Sequence, residues 1–290
     1  MAVLRVTLVN PGIGSIVLMD LTGPTPREDL FLQKLDVPSP AIREVVDDQV
    51  GDGVVDRSLY VGPRTAAVEL RLGDTPEQIM GQLRPYMSPR VRPLLRVVDS
   101  EWAQDRQLVM RGVSWPGERS GVLDRLRDVQ LQWTVPSGTW EAVLLTSVSI
   151  AAATGGGDGR VYDLVTPRTY PATSVAGAGV LSNPGDLPVP FKARLYGPCI
   201  GPRLTEDLTG LAVAFTAELV LAAGEYVEID TGAQTAYINS AIDSSALPML
   251  DFDATTWWHI QPGLSLVRYN PLSGVVAGAV AVIDYRPQWI

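Results

Sequence analysis

Apolar and polar side chains alternate along most of this chain. In "RTAAVELRL" (64–72) Ala66, Val68, Leu70 and Leu72 share one face. In "DVQLQWTV" (128–135) Val129, Leu131, Trp133 and Val135 alternate with Asp128, Gln130, Gln132 and Thr134. Successive side chains of a strand point to opposite faces, so each stretch predicts a half-buried strand. The same period predicts strands over 4–9, 106–115, 189–196, 211–215, 225–230 and 279–285. "EYVEIDTGAQTAYI" (225–238) predicts a hairpin with Thr231, Gly232 and Ala233 near its turn.

One stretch departs from period two. "GDTPEQIMGQLRPYM" (73–87) opens on Thr75, a good N-cap, and places Pro76 at the first helical position, where its missing N–H costs nothing. Gln78 completes a capping-box spacing with Thr75. Ile79, Met80 and Leu83 fall on one face, and Pro85 removes a donor and stops the helix. The fold class predicted is mainly β, with one short helix in the first half.

Beyond Val135 the composition shifts. "TGGGDGRVYD" (154–163) and "VAGAGVLSNPGD" (175–186) are rich in turn formers and read as loops. A boundary near "PSGTWEA" (136–142) gives two β-rich domains, 1–138 and 139–290, with no internal repeat of fixed period.

With 46% hydrophobic residues, 290 residues can fill two cores. A net charge of −9 argues against a phosphate-binding protein, which carries a basic face. No sequence-specific nucleic-acid binding is expected. The single cysteine excludes an intrachain disulfide framework and a cysteine-based zinc site. The N-terminus, "MAVLRVTLVNPGIGS", lacks a signal-peptide core, and the longest apolar run, "VVAGAVAVI" (275–283), is about half the ~18 residues of a membrane span. It predicts a buried strand, with no membrane insertion and synthesis in the cytoplasm.

Candidate chemistry is sparse. His259, the single histidine, has no G-x-S-x-G elbow to serve as the base of a serine triad, and cannot build a histidine-rich metal site. Cys199 sits in "YGPCIGP" between Arg194 and Arg203. A reactive thiol needs exposure and positive surroundings, whereas the flanking Gly-Pro pairs predict a tight turn around an inert one. Asp47, Asp48 and Asp52 in "EVVDDQVGDG" do not match a calcium-loop spacing, and "GGGDG" (155–159) is a single copy without the ending of a phosphate loop. Asp251 and Asp253 in "LDFDATT" could pair as glycosidase carboxylates, but residues two apart more often mark a strand end. Trp257, Trp258 and Trp289 could stack on sugars or pack on a sheet. If 257–258 is strand, its two tryptophans face opposite sides and one points outward. No metal, cofactor or catalytic residue is predicted.

Several stretches in order resemble the distal tail protein (Dit) of long-tailed siphophages, within the phage tail protein family. They are "TPEQIMGQLRPYMSP" with "RPLLRVVD", "VQLQWTVPSGTWEA", "SNPGDLPVPFKARLYGPCIGPRLTEDLTGLAVAF", "GEYVEIDTGAQTAYINS" and "WWHIQPGLSLVRY". The insert "AAATGGGDGRVYDLVTPRTYPATSVAGAG" is less typical. The resemblance implies an N-terminal ring-forming (belt) domain and a C-terminal galectin-like β-sandwich. It implies a homohexameric ring at the distal end of the virion tail. That ring joins the tail tube and tape measure proteins to the tail hub, tail-associated and receptor-binding proteins, without enzymatic activity. A carbohydrate-binding sandwich on a tail or cell surface, contacting sugar through Trp257 and Trp258, is the alternative. A ring at that place must pass DNA, which an acidic lumen would repel. Glu44, Asp47, Asp48 and Asp52 are therefore expected on a solvated loop of the first domain, facing either the lumen or the outside.

Overall fold

The computed structural model describes residues 3–21, 30–40, 42–46, 57–73, 76–114, 119–120, 127–152, 177–273 and 278–290. The molecule is mainly β with one short α-helix among the described residues. It divides into two compact units: Met1–Leu144 with Gln288–Ile290, and Leu145–Pro287.

The first unit packs two antiparallel sheets. Arg64–Leu72 pairs residue for residue with Arg127–Val135, and on its other side with Leu30–Asp36. Ala66, Val68, Leu70 and Leu72 are fully buried, as are Leu131, Trp133 and Val135. A one-residue slip would expose that whole set, so the apolar face fixes the register. The second sheet runs in the order Gly14–Asp20, Val3–Asn10, Leu94–Asp99, Arg106–Val109, Trp140–Ala142 and Gln288–Trp289. It supplies Val6, Leu8, Leu95, Val97 and Leu108 to the same core. The helix Pro76–Leu83 buries Ile79, Met80 and Leu83 as predicted. At Arg84–Met87 the chain tightens into a 3₁₀ turn carrying Pro85. Trp133 Nε1 donates to the Tyr86 carbonyl of that turn at 3.1 Å. Thr75 lies outside the described residues.

The single strand predicted over 106–115 is two. Arg106–Val109 joins one sheet and Arg111–Ser114 the other. Gly112 permits this crossing, because a Cβ there would lie 2.4 Å from the Met87 carbonyl oxygen. Ile42–Val46 and Arg57–Val61 form a two-stranded sheet of their own.

The second unit is a two-sheet antiparallel sandwich. One sheet orders Thr146–Ala151, Val280–Tyr285, Phe191–Tyr196, Tyr226–Asp230 and Thr235–Ile238. The other orders Ala178–Asn183, Gly263–Tyr269, Arg203–Glu206 and Ala212–Ala214. Phe191, Leu195, Leu204, Phe215, Val227, Ile229, Tyr269 and Ile283 share the core between them. The predicted hairpin pairs Val227 with Ile238 through Asp230 with Thr235.

Candidate functional site

Cys199 stands at a corner, after a cis Gly197–Pro198 bond. Its side chain is buried, and its sulfur lies 3.2 Å from the Tyr269 hydroxyl. That hydroxyl donates to the Tyr196 carbonyl at 3.0 Å. Burial pushes the thiol pKa up, against the weaker opposing effect of the Tyr269 hydrogen bond. A buried thiol held protonated is a poor nucleophile.

The Asn-Pro-Gly-Asp stretch is also framework. Asn183 is 1% exposed, and its amide nitrogen donates to the carbonyls of Leu187 at 2.9 Å and Ile260 at 3.1 Å. Its side-chain oxygen accepts from Gly185 N at 3.0 Å. Thr231, in the hairpin turn, accepts from Phe191 N at 2.9 Å and donates to Phe191 O at 3.1 Å, extending the strand ladder through a side chain. Asp230 closes the same turn by accepting from Gly232 N and Ala233 N. Such side-chain bonds satisfy backbone groups that the turns themselves leave unpaired.

The other candidates are dispersed. His259 is exposed, and no described hydroxyl or carboxylate bonds its imidazole. Asp251 Oδ1 accepts from Ala254 N at 3.3 Å, a turn contact, and Asp253 is exposed. Residues 255–259 form no strand. Trp258 is 3% exposed and packs on Phe191 with ring centroids 4.5 Å apart. Trp257 is half-buried against the same core. Trp289 belongs to the first unit. Glu44 lies on Ile42–Val46 opposite Leu59, while Asp47, Asp48, Asp52 and the 155–159 glycines lie outside the described residues. No group of three or more His, Cys, Asp or Glu able to hold a metal occurs among the described residues. No described helix is long and apolar enough to cross a membrane.

Two polar constellations escaped the sequence reading. In the first unit, Arg106 lies 4.4 Å from the Trp102 ring centroid and 4.2 Å from that of Trp289. Trp102 meets Trp140 edge-on at 5.5 Å, and Arg64 stands 5.4 Å over Trp140. Burial of Arg64 lowers its pKa to about 10. This cation–π stack fastens the last strand to Trp140, its direct cross-strand partner. In the second unit, Arg194 donates to Glu228 at 2.9 Å, and Ser240 donates to the same carboxylate oxygen at 2.8 Å. Nothing in spacing marks either set, because each draws its members from several separate segments of the chain.

No protein-family model and no curated protein matches the chain. Among solved structures it is similar to the SPP1 Dit protein, described as a paradigm of the hub adsorption apparatus in phages infecting Gram-positive bacteria. That match has 10% identity and a TM-score of 0.60, and covers 98% of this chain and 99% of that one. A chain of the phage p2 baseplate in its activated conformation with Sr is similar at 12% identity and a TM-score of 0.49, covering 97% of each chain. One from the same baseplate with Ca shows 14% identity and a TM-score of 0.46, covering 99% of this chain and 98% of that one. From end to end, then, the chain carries the fold of the SPP1 Dit protein.

Proposed function

We propose that this protein is a non-enzymatic structural component of a phage virion, at the distal end of a long non-contractile tail. The observation that carries the reading is the fold shared with SPP1 Dit over 98% of this chain and 99% of that one, so both units take part. The wholly structural use of Cys199, Asn183 and Thr231 agrees with it. In this reading the first unit, which takes in Trp140–Ala142 and Gln288–Trp289, builds a homohexameric ring and the second is a galectin-like sandwich. The ring joins tail tube and tape measure proteins to the hub and receptor-binding proteins. Glu44 belongs to the Ile42–Val46 strand, and Asp47, Asp48 and Asp52 are read as the solvated loop that follows it in the ring domain. If that loop faces the lumen, replacing all four with lysine slows DNA ejection in a salt-dependent way. Ejection unchanged at low salt places it outside.

Antibodies against the purified protein test the location. Electron microscopy of virions that carry it should show label at the tail end distal to the capsid. Label on the capsid, or none on intact virions, overturns the reading.

A further inference from the structure

The outward face of the second unit's five-stranded sheet carries a polar set built on two paired strands. Arg194 stands directly opposite Glu228, and Tyr196 opposite Tyr226. Their strand neighbours Ala193, Leu195, Val227 and Ile229 are buried in the core, so these four share the outer face. The Tyr196 and Tyr226 rings lie with centroids 5.0 Å apart, and both are partly exposed. The neighbouring charges are already matched, since Lys192 pairs with Asp230 at 3.2 Å.

Ser240 joins the set from a strained position. Asn239 and Ser240 both have positive φ, 52° and 56°, in a two-residue turn closed by Ala241 N donating to Ile238 O at 3.0 Å. Glycine is the residue such a turn favours at its second position, so a serine there stands against local preference. Its hydroxyl donates to Glu228 Oε2 at 2.8 Å and meets the Tyr226 hydroxyl at 3.0 Å. The same Oε2 accepts from Arg194 Nε at 2.9 Å. Glu228 Oε1 and the two terminal nitrogens of Arg194 have no partner among the described residues. The network therefore fixes an open acceptor beside open donors.

We propose that this face binds a pyranose, with two adjacent hydroxyls on Arg194 and Glu228 and the C–H face of its ring on Tyr196 and Tyr226. A hydroxyl both donates and accepts, so a vicinal pair matches an open carboxylate oxygen beside an open guanidinium nitrogen. A ligand carboxylate would meet Glu228 and a ligand ammonium would meet Arg194, so the complementary ligand is neutral. A primary amide offers the same donor and acceptor, but it lacks an apolar ring face for the paired tyrosines. The tyrosines adjoin Arg194 and Glu228 two residues along each strand, about 7 Å away on the same face. This face is separate from Trp257 and Trp258, which pack on the core, and its chemistry stands whether or not the chain builds a tail tip.

The test is an NMR titration of the full chain, following the Arg194 Nε–H and the ring signals of Tyr196 and Tyr226. The probes are the methyl α- and β-pyranosides of glucose, galactose, mannose and N-acetylglucosamine, with N-acetylglutamine methylamide as the amide control. At least one glycoside should shift all three signals saturably and bind more tightly than the amide. Arg194→Met and Tyr226→Ala should each weaken that binding at least about fivefold, the loss expected for one hydrogen bond or one ring contact. Ser240→Gly suits the turn and removes only the hydroxyl, so it should weaken binding by a similar factor while the amide spectrum stays that of a folded chain. Arg268→Met, on the other sheet and paired with Asp207, should leave binding unchanged. No saturable shift from any glycoside, tighter binding of the amide than of every glycoside, or full affinity in the folded Ser240→Gly chain overturns the proposal.

Discussion

Single side chains of the second unit carry turns that backbone pairing leaves open. Asn183 satisfies two carbonyls and one N–H from a position 1% exposed. Asn183→Ala orphans all three and should destabilise that unit by about 3 kcal/mol, read from its urea midpoint. Glu228 gives a pH signature. Hydrogen bonding to Arg194 holds its carboxyl below the usual glutamate range. A depressed folded pKa stabilises above the unfolded value of about 4.3 and loses that stability as pH falls through the folded value. Arg194 is 43% exposed, so the effect should be under about 1 kcal/mol. Melting curves should show wild type above Glu228→Gln at pH 6, with the gap closing below pH 4. A gap independent of pH contradicts the assignment. These roles were only half legible: "NPGD" and the Thr231 turn announced a loop by composition, but not the strands their side chains would reach.

Period two reveals an element's existence better than its allegiance. Arg64–Leu72 emerges at its predicted limits because every second residue enters one core. The 106–115 prediction split because alternation persists while the chain changes sheets at Met110. Gln288–Trp289 is too short to show any period, yet it closes the first unit's six-stranded sheet. Trp289 is 6% exposed and pairs with Trp140. Trp289→Ala should therefore cost the first unit about 3–5 kcal/mol, as for other buried aromatic truncations. Deleting 288–290 should do the same. Hydrogen exchange read unit by unit checks this: faster exchange in Leu94–Asp99 with Phe191–Tyr196 unchanged is expected, and the reverse contradicts it.

At the scale of the molecule, each unit has its own core of buried residues. The second runs from Leu145 to Pro287 without interruption. Residues 145–287 expressed alone should fold cooperatively, since a continuous unit of ordinary domain size with a complete core can stand alone. Calorimetry of that fragment should show one transition, and a featureless trace contradicts it. The fold class was plain from alternation, whereas the proposed function rested on ordered resemblance, because no spacing among the candidate residues pointed to a chemistry. The proposed function requires assembly into a tail ring. Electron microscopy of the purified full-length chain tests it most directly: class averages should show closed rings with six-fold symmetry around an open centre. Single particles of monomer size at every concentration would contradict the account.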